Sequence, residues 1–126
     1  GKLTEMLAEF RQQVTRHGGQ LAVVPIPSKA MVEPDDEPAA LARAQALLDL
    51  TDEDMASFAR THEIALAAAV AASVPVVDPS PVLATAAEHE RLYYRRDWHL
   101  TPAGHRALGE FLADTLLDQG WVPAAH

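Results

Sequence analysis

Apolar residues at the start of the chain recur in helical steps. Leu3, Met6, Leu7, Phe10 and Val14 fall three or four residues apart, with Glu5, Glu9, Arg11 and Arg16 elsewhere on the wheel. The spacing predicts an amphipathic helix that ends at Gly18-Gly19. Leu21-Ala22-Val23-Val24-Pro25-Ile26 is a short apolar run and predicts a buried strand. Pro25 belongs near its end because it has no N–H to give a ladder. Pro27-Ser28-Lys29 then turns the chain out of the sheet. Residues 39–50 predict a short helix. Thr51-Asp52-Glu53-Asp54 resembles a capping box and opens a longer helix to about residue 72. Val74-Pro75-Val76-Val77-Asp78 predicts a second buried strand, left through Pro79-Ser80-Pro81, and residues 82–87 a short helix. A last helix is expected over residues 102–119. Leu108, Phe111, Leu112, Thr115 and Leu116 form its buried face, and Gly120 is its C′ residue with Trp121 folding back.

The order helix, strand, helices, strand, helix predicts an α/β protein: a three-layer α/β/α arrangement around a parallel sheet, flavodoxin-like in type. Two strands alone leave an unpaired edge, so further strands are expected from a companion segment or chain. Ligands of such sheets sit beyond the carboxyl ends of the strands. The 27–29 turn, the 78–80 turn and the loop before the last helix all fall there or close by.

Composition narrows the function. A chain of 126 residues is one domain, and 48% hydrophobic residues can fill a core. A formal charge of −8 argues against nucleic acid or an anionic membrane as partner. With no cysteine, disulfides and thiolate metal sites are excluded while the compartment stays open. No apolar run reaches transmembrane length. The chain enters its first helix at once, without a secretory signal, as an internal cut of a longer protein would. The acidic, proline-rich residues 33–38 read as a solvated loop in preference to a metal site. His62-Glu63 lacks the second His of a zinc helix, since the required position is Leu66.

The chemistry is concentrated in Tyr93-Tyr94-Arg95-Arg96-Asp97-Trp98-His99-Leu100-Thr101-Pro102-Ala103-Gly104-His105. Thr101 is a good N-cap, and Pro102 suits the first helical position. Asp97 and His99 therefore lie in the loop entering a helix, a common place for catalytic groups. The histidine can move a proton near neutral pH, and a carboxylate on its far nitrogen would fix the tautomer. The competing reading is a capped helix with a polar approach loop.

Val76-Val77-Asp78, the 92–101 stretch and Gly104-His105 together resemble the C-terminal part of SGNH (GDSL-type) hydrolases. The short Asp-x-His form with its Tyr-rich approach is similar to the branch containing alginate O-acetyltransferases, as is Pro27-Ser28-Lys29. The resemblance implies that His99 is the base and Asp97 its orienting acid, with no metal or organic cofactor. It implies an ester or O-acylated carbohydrate as substrate and leaves room for an extracytoplasmic setting. Trp98, Tyr94, Arg96 and Ser28 are the candidate substrate contacts.

The family's Gly-Asp-Ser block is missing, and the chain has no asparagine. By family order the two strands match the fourth and fifth. Residues 1–126 thus read as the C-terminal portion of one SGNH domain whose serine lies outside it. Ser28 and Ser80, each following a strand, are the internal alternatives. Two further readings remain open: a non-catalytic binding or assembly module that lost the serine strand, and a metal-dependent hydrolase using Asp97, His99 and His105, whose His spacing is poor for a metal.

Overall fold

The computed structural model describes residues 1–34 and 38–123. Helices α1 (Lys2–Arg16), α2 (Lys29–Val32), α3 (Pro38–Leu48), α4 (Asp52–Ala71), α5 (Ser80–Ala87) and α6 (Pro102–Asp118) follow one another along the chain. Five are the helices the sequence predicts. The short α2 replaces the simple turn expected after Pro27. Residues 35–37 of the acidic 33–38 loop lie outside the described residues.

The expected parallel sheet, and with it the three-layer α/β/α arrangement, does not form. Among the described residues there is no strand, only a parallel bridge between Val23 and Val76 and an antiparallel one between Tyr93 and Leu100. The register explains why the parallel pairing stops. Val23 N–H donates to Pro75 O at 2.9 Å, and Val77 N–H donates to Val23 O at 2.9 Å. The next rung in one direction would need N–H groups from residues 25 and 79, and in the other direction one from residue 75. All three are prolines, so the ladder lacks a donor on both sides of its single rung.

Packing therefore comes from helices on extended segments. α1 lies against α4. Ala69, Ala72 and Val74 are buried there, with Leu7, Ala8, Leu21, Val23 and Val76 against them. The α1 stripe docks only along one edge: no α1 residue is buried, and Met6 and Phe10 stay 59% and 56% exposed. A second cluster joins α2, α5 and α6 around Val32, Leu83, Leu92 and Tyr93. Leu83 and Leu92 are fully buried, each contributing about 1.5–3 kcal/mol through loss of apolar surface. On α6 only Gly104 is buried, and the expected face from Leu108 to Leu116 is half-buried.

Helix ends follow local chemistry. The capping box at α4 is complete: Thr51 Oγ1 accepts from Asp54 N–H at 3.1 Å, and Asp54 Oδ2 accepts from Thr51 N–H at 2.8 Å. Bonds from the Thr51 hydroxyl and amide hold the Asp54 carboxyl below its ordinary pKa. α6 closes with Gly120 at φ +69°, while Trp121 N–H reaches Leu116 O at 2.9 Å and Gly120 N–H reaches Leu117 O at 3.0 Å. That is the Schellman pattern, which needs a residue tolerant of the left-handed region.

Candidate active site

The site is built on the loop between Leu92 and α6. Thr101 anchors its end. The backbone there is extended, and Thr101 Oγ1 accepts from Gly104 N–H at 3.1 Å, capping α6. The same hydroxyl lies 2.9 Å from Arg91 O and 3.2 Å from Leu92 O as donor. Thr101 N–H donates to Leu92 O at 2.8 Å and Tyr94 N–H to His99 O at 3.1 Å. The loop is thus pinched at its base, with Arg95, Arg96, Asp97 and Trp98 at its tip. Close approach of α6 to the base requires Gly104. A Cβ there would come 2.3 Å from Leu92 O and 2.8 Å from a Leu100 methyl.

The segment around α2 holds the loop from beneath. The Tyr93 hydroxyl donates to Pro27 O. Glu33 Oε1 accepts from Leu92 N–H at 2.6 Å. Lys29 Nζ donates to Tyr94 O at 3.1 Å and Arg95 O at 3.2 Å. Burial, followed by the nearby Glu33 charge, pushes the Tyr93 phenol up to about 12, so it remains a donor at neutral pH.

At the tip, Asp97 Oδ1 accepts the His99 backbone N–H at 2.6 Å and lies 2.8 Å from His99 Nδ1. The first contact is an Asx-turn bond that a one-residue spacer permits. The Asp97 carboxyl is held below its ordinary pKa, first by the His99 amide, then by the His99 ring, with a smaller contribution from the Lys29 charge. It is therefore ionised at neutral pH and can only accept. The proton of a neutral His99 then sits on Nδ1, and Nε2 carries a lone pair. Among the described residues nothing bonds to that nitrogen, and the side chain is 87% exposed. The arrangement can take a proton from an incoming hydroxyl and stabilise the resulting imidazolium.

The other expected residues separate. Tyr93 is buried, whereas Tyr94 and Trp98 are about half exposed beside His99, and Arg96 is exposed at the tip. Ser28 is the exposed N-cap position of α2 and makes no hydrogen bond to His99. His105 is exposed on the first turn of α6. Among the described residues no group of three or more His, Cys, Asp or Glu could hold a metal ion.

Sequence reasoning missed a second acid–histidine pair. Ser80 Oγ donates to Asp78 Oδ1 at 2.6 Å and lies 3.2 Å from His62 Nε2, which is itself 3.4 Å from Asp78 Oδ1. Burial tends to raise the Asp78 pKa, but the Ser80 hydroxyl and amide and His62 outweigh it, and the net shift is downward. This is not a catalytic triad. Acid and hydroxyl meet the same ring nitrogen, and among the described residues the buried His62 Nδ1 has no partner. A triad needs the acid on the far nitrogen. The cluster instead ties α4 to the start of α5.

In comparison with known proteins, residues 2–125 match the family model for an SGNH hydrolase-like domain, that of the acetyltransferase AlgX. No curated protein matches. No solved structure matches either.

Proposed function

We propose that this chain, which belongs to the SGNH hydrolase-like domain family of the acetyltransferase AlgX, supplies the base and its orienting acid to an acyl-transfer site. The serine comes from a segment outside these 126 residues. The observation carrying this reading is the 2.8 Å contact of Asp97 Oδ1 with His99 Nδ1, which leaves Nε2 open at an exposed position.

In the complete site a serine Oγ attacks the ester carbonyl while His99 Nε2 takes its proton. The alkoxide leaving group departs with a proton returned from Nε2, and an acyl-enzyme remains. Water or a sugar hydroxyl then attacks the acyl carbon and delivers its proton to Nε2. The acyl–serine bond breaks as Nε2 passes that proton to the serine oxygen, which regenerates the hydroxyl. Asp97 stabilises the imidazolium each time. No metal or organic cofactor is needed. Tyr94 and Trp98 offer aromatic faces to a sugar ring, and Arg96 a cation to an acidic group on it.

The exposure of His99 supports an incomplete site, because acyl chemistry works best where water is excluded. The exposed side chains of Met6, Phe10, Ile64 and Val70 on α1 and α4, two helices that pack against each other, add apolar surface that a companion segment would cover.

A fluorophosphonate probe tests the reading on the complete gene product. Covalent labelling of one serine, lost in His99→Ala, is the expected result. A folded but unlabelled protein would favour a non-catalytic binding module, the reading suggested by the fact that none of the chain's four serines bonds to His99 among the described residues.

A further inference from the structure

We infer that Lys29 is a positioning residue for the Asp97–His99 pair, its ammonium gathering the Tyr94 and Arg95 carbonyls and so setting where the loop tip stands. The inference rests on the acyl-transfer reading only for its catalytic meaning. The geometry is independent of it.

Lys29 is 2% exposed and is the only charged residue buried among those described. An ammonium taken out of water costs several kcal/mol unless it is well bonded. Here its bonds go to two successive carbonyls, at 3.1 and 3.2 Å, 65 and 66 residues away in sequence. Those carbonyls belong to the two residues that lead into Arg96 and Asp97. An apolar side chain would fill the space but leave both carbonyls unpaired, and the loop would be free to turn.

The neighbouring anchors stop short of the tip. The Tyr93 hydroxyl and Glu33 carboxylate fix residues 92 and 93. Among the described residues, Lys29 alone reaches residues 94 and 95 from α2. Its charge also acts on the Asp97 carboxyl, in the same direction as His99, favouring the ionised form that holds the imidazole. One side chain thus supplies both a mechanical tether and a favourable field, as supporting partners of catalytic groups commonly do.

Nitrogen-detected NMR tests the tether in the unmutated chain. Slowly exchanging Lys29 ammonium protons with couplings to the Tyr94 and Arg95 carbonyl carbons are expected, and their absence would overturn the inference. That measurement decides the matter even where a variant does not fold.

For folded variants, the Asp97 carboxyl carbon is followed through an acid titration. Lys29→Met should move the midpoint upward and weaken the Asp97–His99 bond, while Lys29→Arg should restore much of both. Unchanged titration and an unchanged bond in folded Lys29→Met would overturn the inference. In the complete protein Lys29→Met should lower kcat for an aryl acetate roughly 100-fold with little change in KM, the scale of a small misplacement. A shifted titration in a protein whose unmutated form turns over no ester would leave Lys29 as a tether and reject acyl transfer instead.

Discussion

Asp97 Oδ1 receives both the amide of His99 and the Nδ1 face of its ring, at 2.6 and 2.8 Å. One oxygen thereby sets the backbone and the tautomer together. Nitrogen shifts of the His99 ring should show the neutral form protonated on Nδ1. Asp97→Asn replaces an obligate acceptor with a group that can also donate. A mixture of tautomers is therefore expected in the variant. A predominantly Nε2-protonated ring in the unmutated protein would contradict the orientation of the pair.

Thr101 joins the loop to the helix that supports it. Its hydroxyl caps α6 through Gly104 N–H and returns to Arg91 O. Thr101→Ala should lower stability by about 0.5–2 kcal/mol, the usual worth of such a cap, and Thr101→Ser should recover most of it. Denaturant unfolding measures both. Equal stability of all three proteins would show that the cap contributes nothing.

Gly104 is required by contact and not by backbone angle. An added methyl meets Leu92 O, a backbone atom that Thr101 N–H also holds. Gly104→Ala should destabilise by about 1–3 kcal/mol or more, since the helix must back away from the loop base. The exposed Gly109, where a methyl meets nothing within 4 Å, is the control. Gly109→Ala should stabilise slightly through helix propensity.

Tyr93 makes stability depend on alkaline pH. Its phenol stays protonated in the fold up to about pH 12, whereas an unfolded tyrosine ionises near pH 10. Between those values the unfolded chain has lost a proton that the native chain keeps, so stability falls as pH rises. The contribution is fully present below about pH 10 and amounts to roughly 2–3 kcal/mol. Tyr93→Phe should flatten this part of the stability profile. A slope identical in both proteins from pH 10 to 12 would contradict the burial argument.

What the sequence disclosed was mostly local. Thr51 and Thr101 announce their helices because a cap is written in four consecutive residues. Asp97 and His99 were legible for the same reason: two residues apart, they close a turn by themselves. The sequence pattern does not reveal that the sheet fails, because the failure is a matter of register. Pro25 marks a strand end locally, but the loss of the ladder also depends on Pro75 and Pro79 standing opposite the same rung. Lys29 looked like a turn residue. Its partners lie 65 and 66 residues on, and no local pattern marks a lysine whose ammonium is buried. The His62–Asp78 pair was hidden likewise by a helix and a turn between them.

The reading of His99 as the base is tested most directly by turnover of an aryl acetate ester in the complete protein, compared with its His99→Ala variant at equal folded concentration. Loss of roughly 10²–10⁴-fold in kcat, the range for removal of a positioned general base, is the expected result. Turnover undiminished by the substitution would remove His99 from the chemistry and with it the acyl-transfer account.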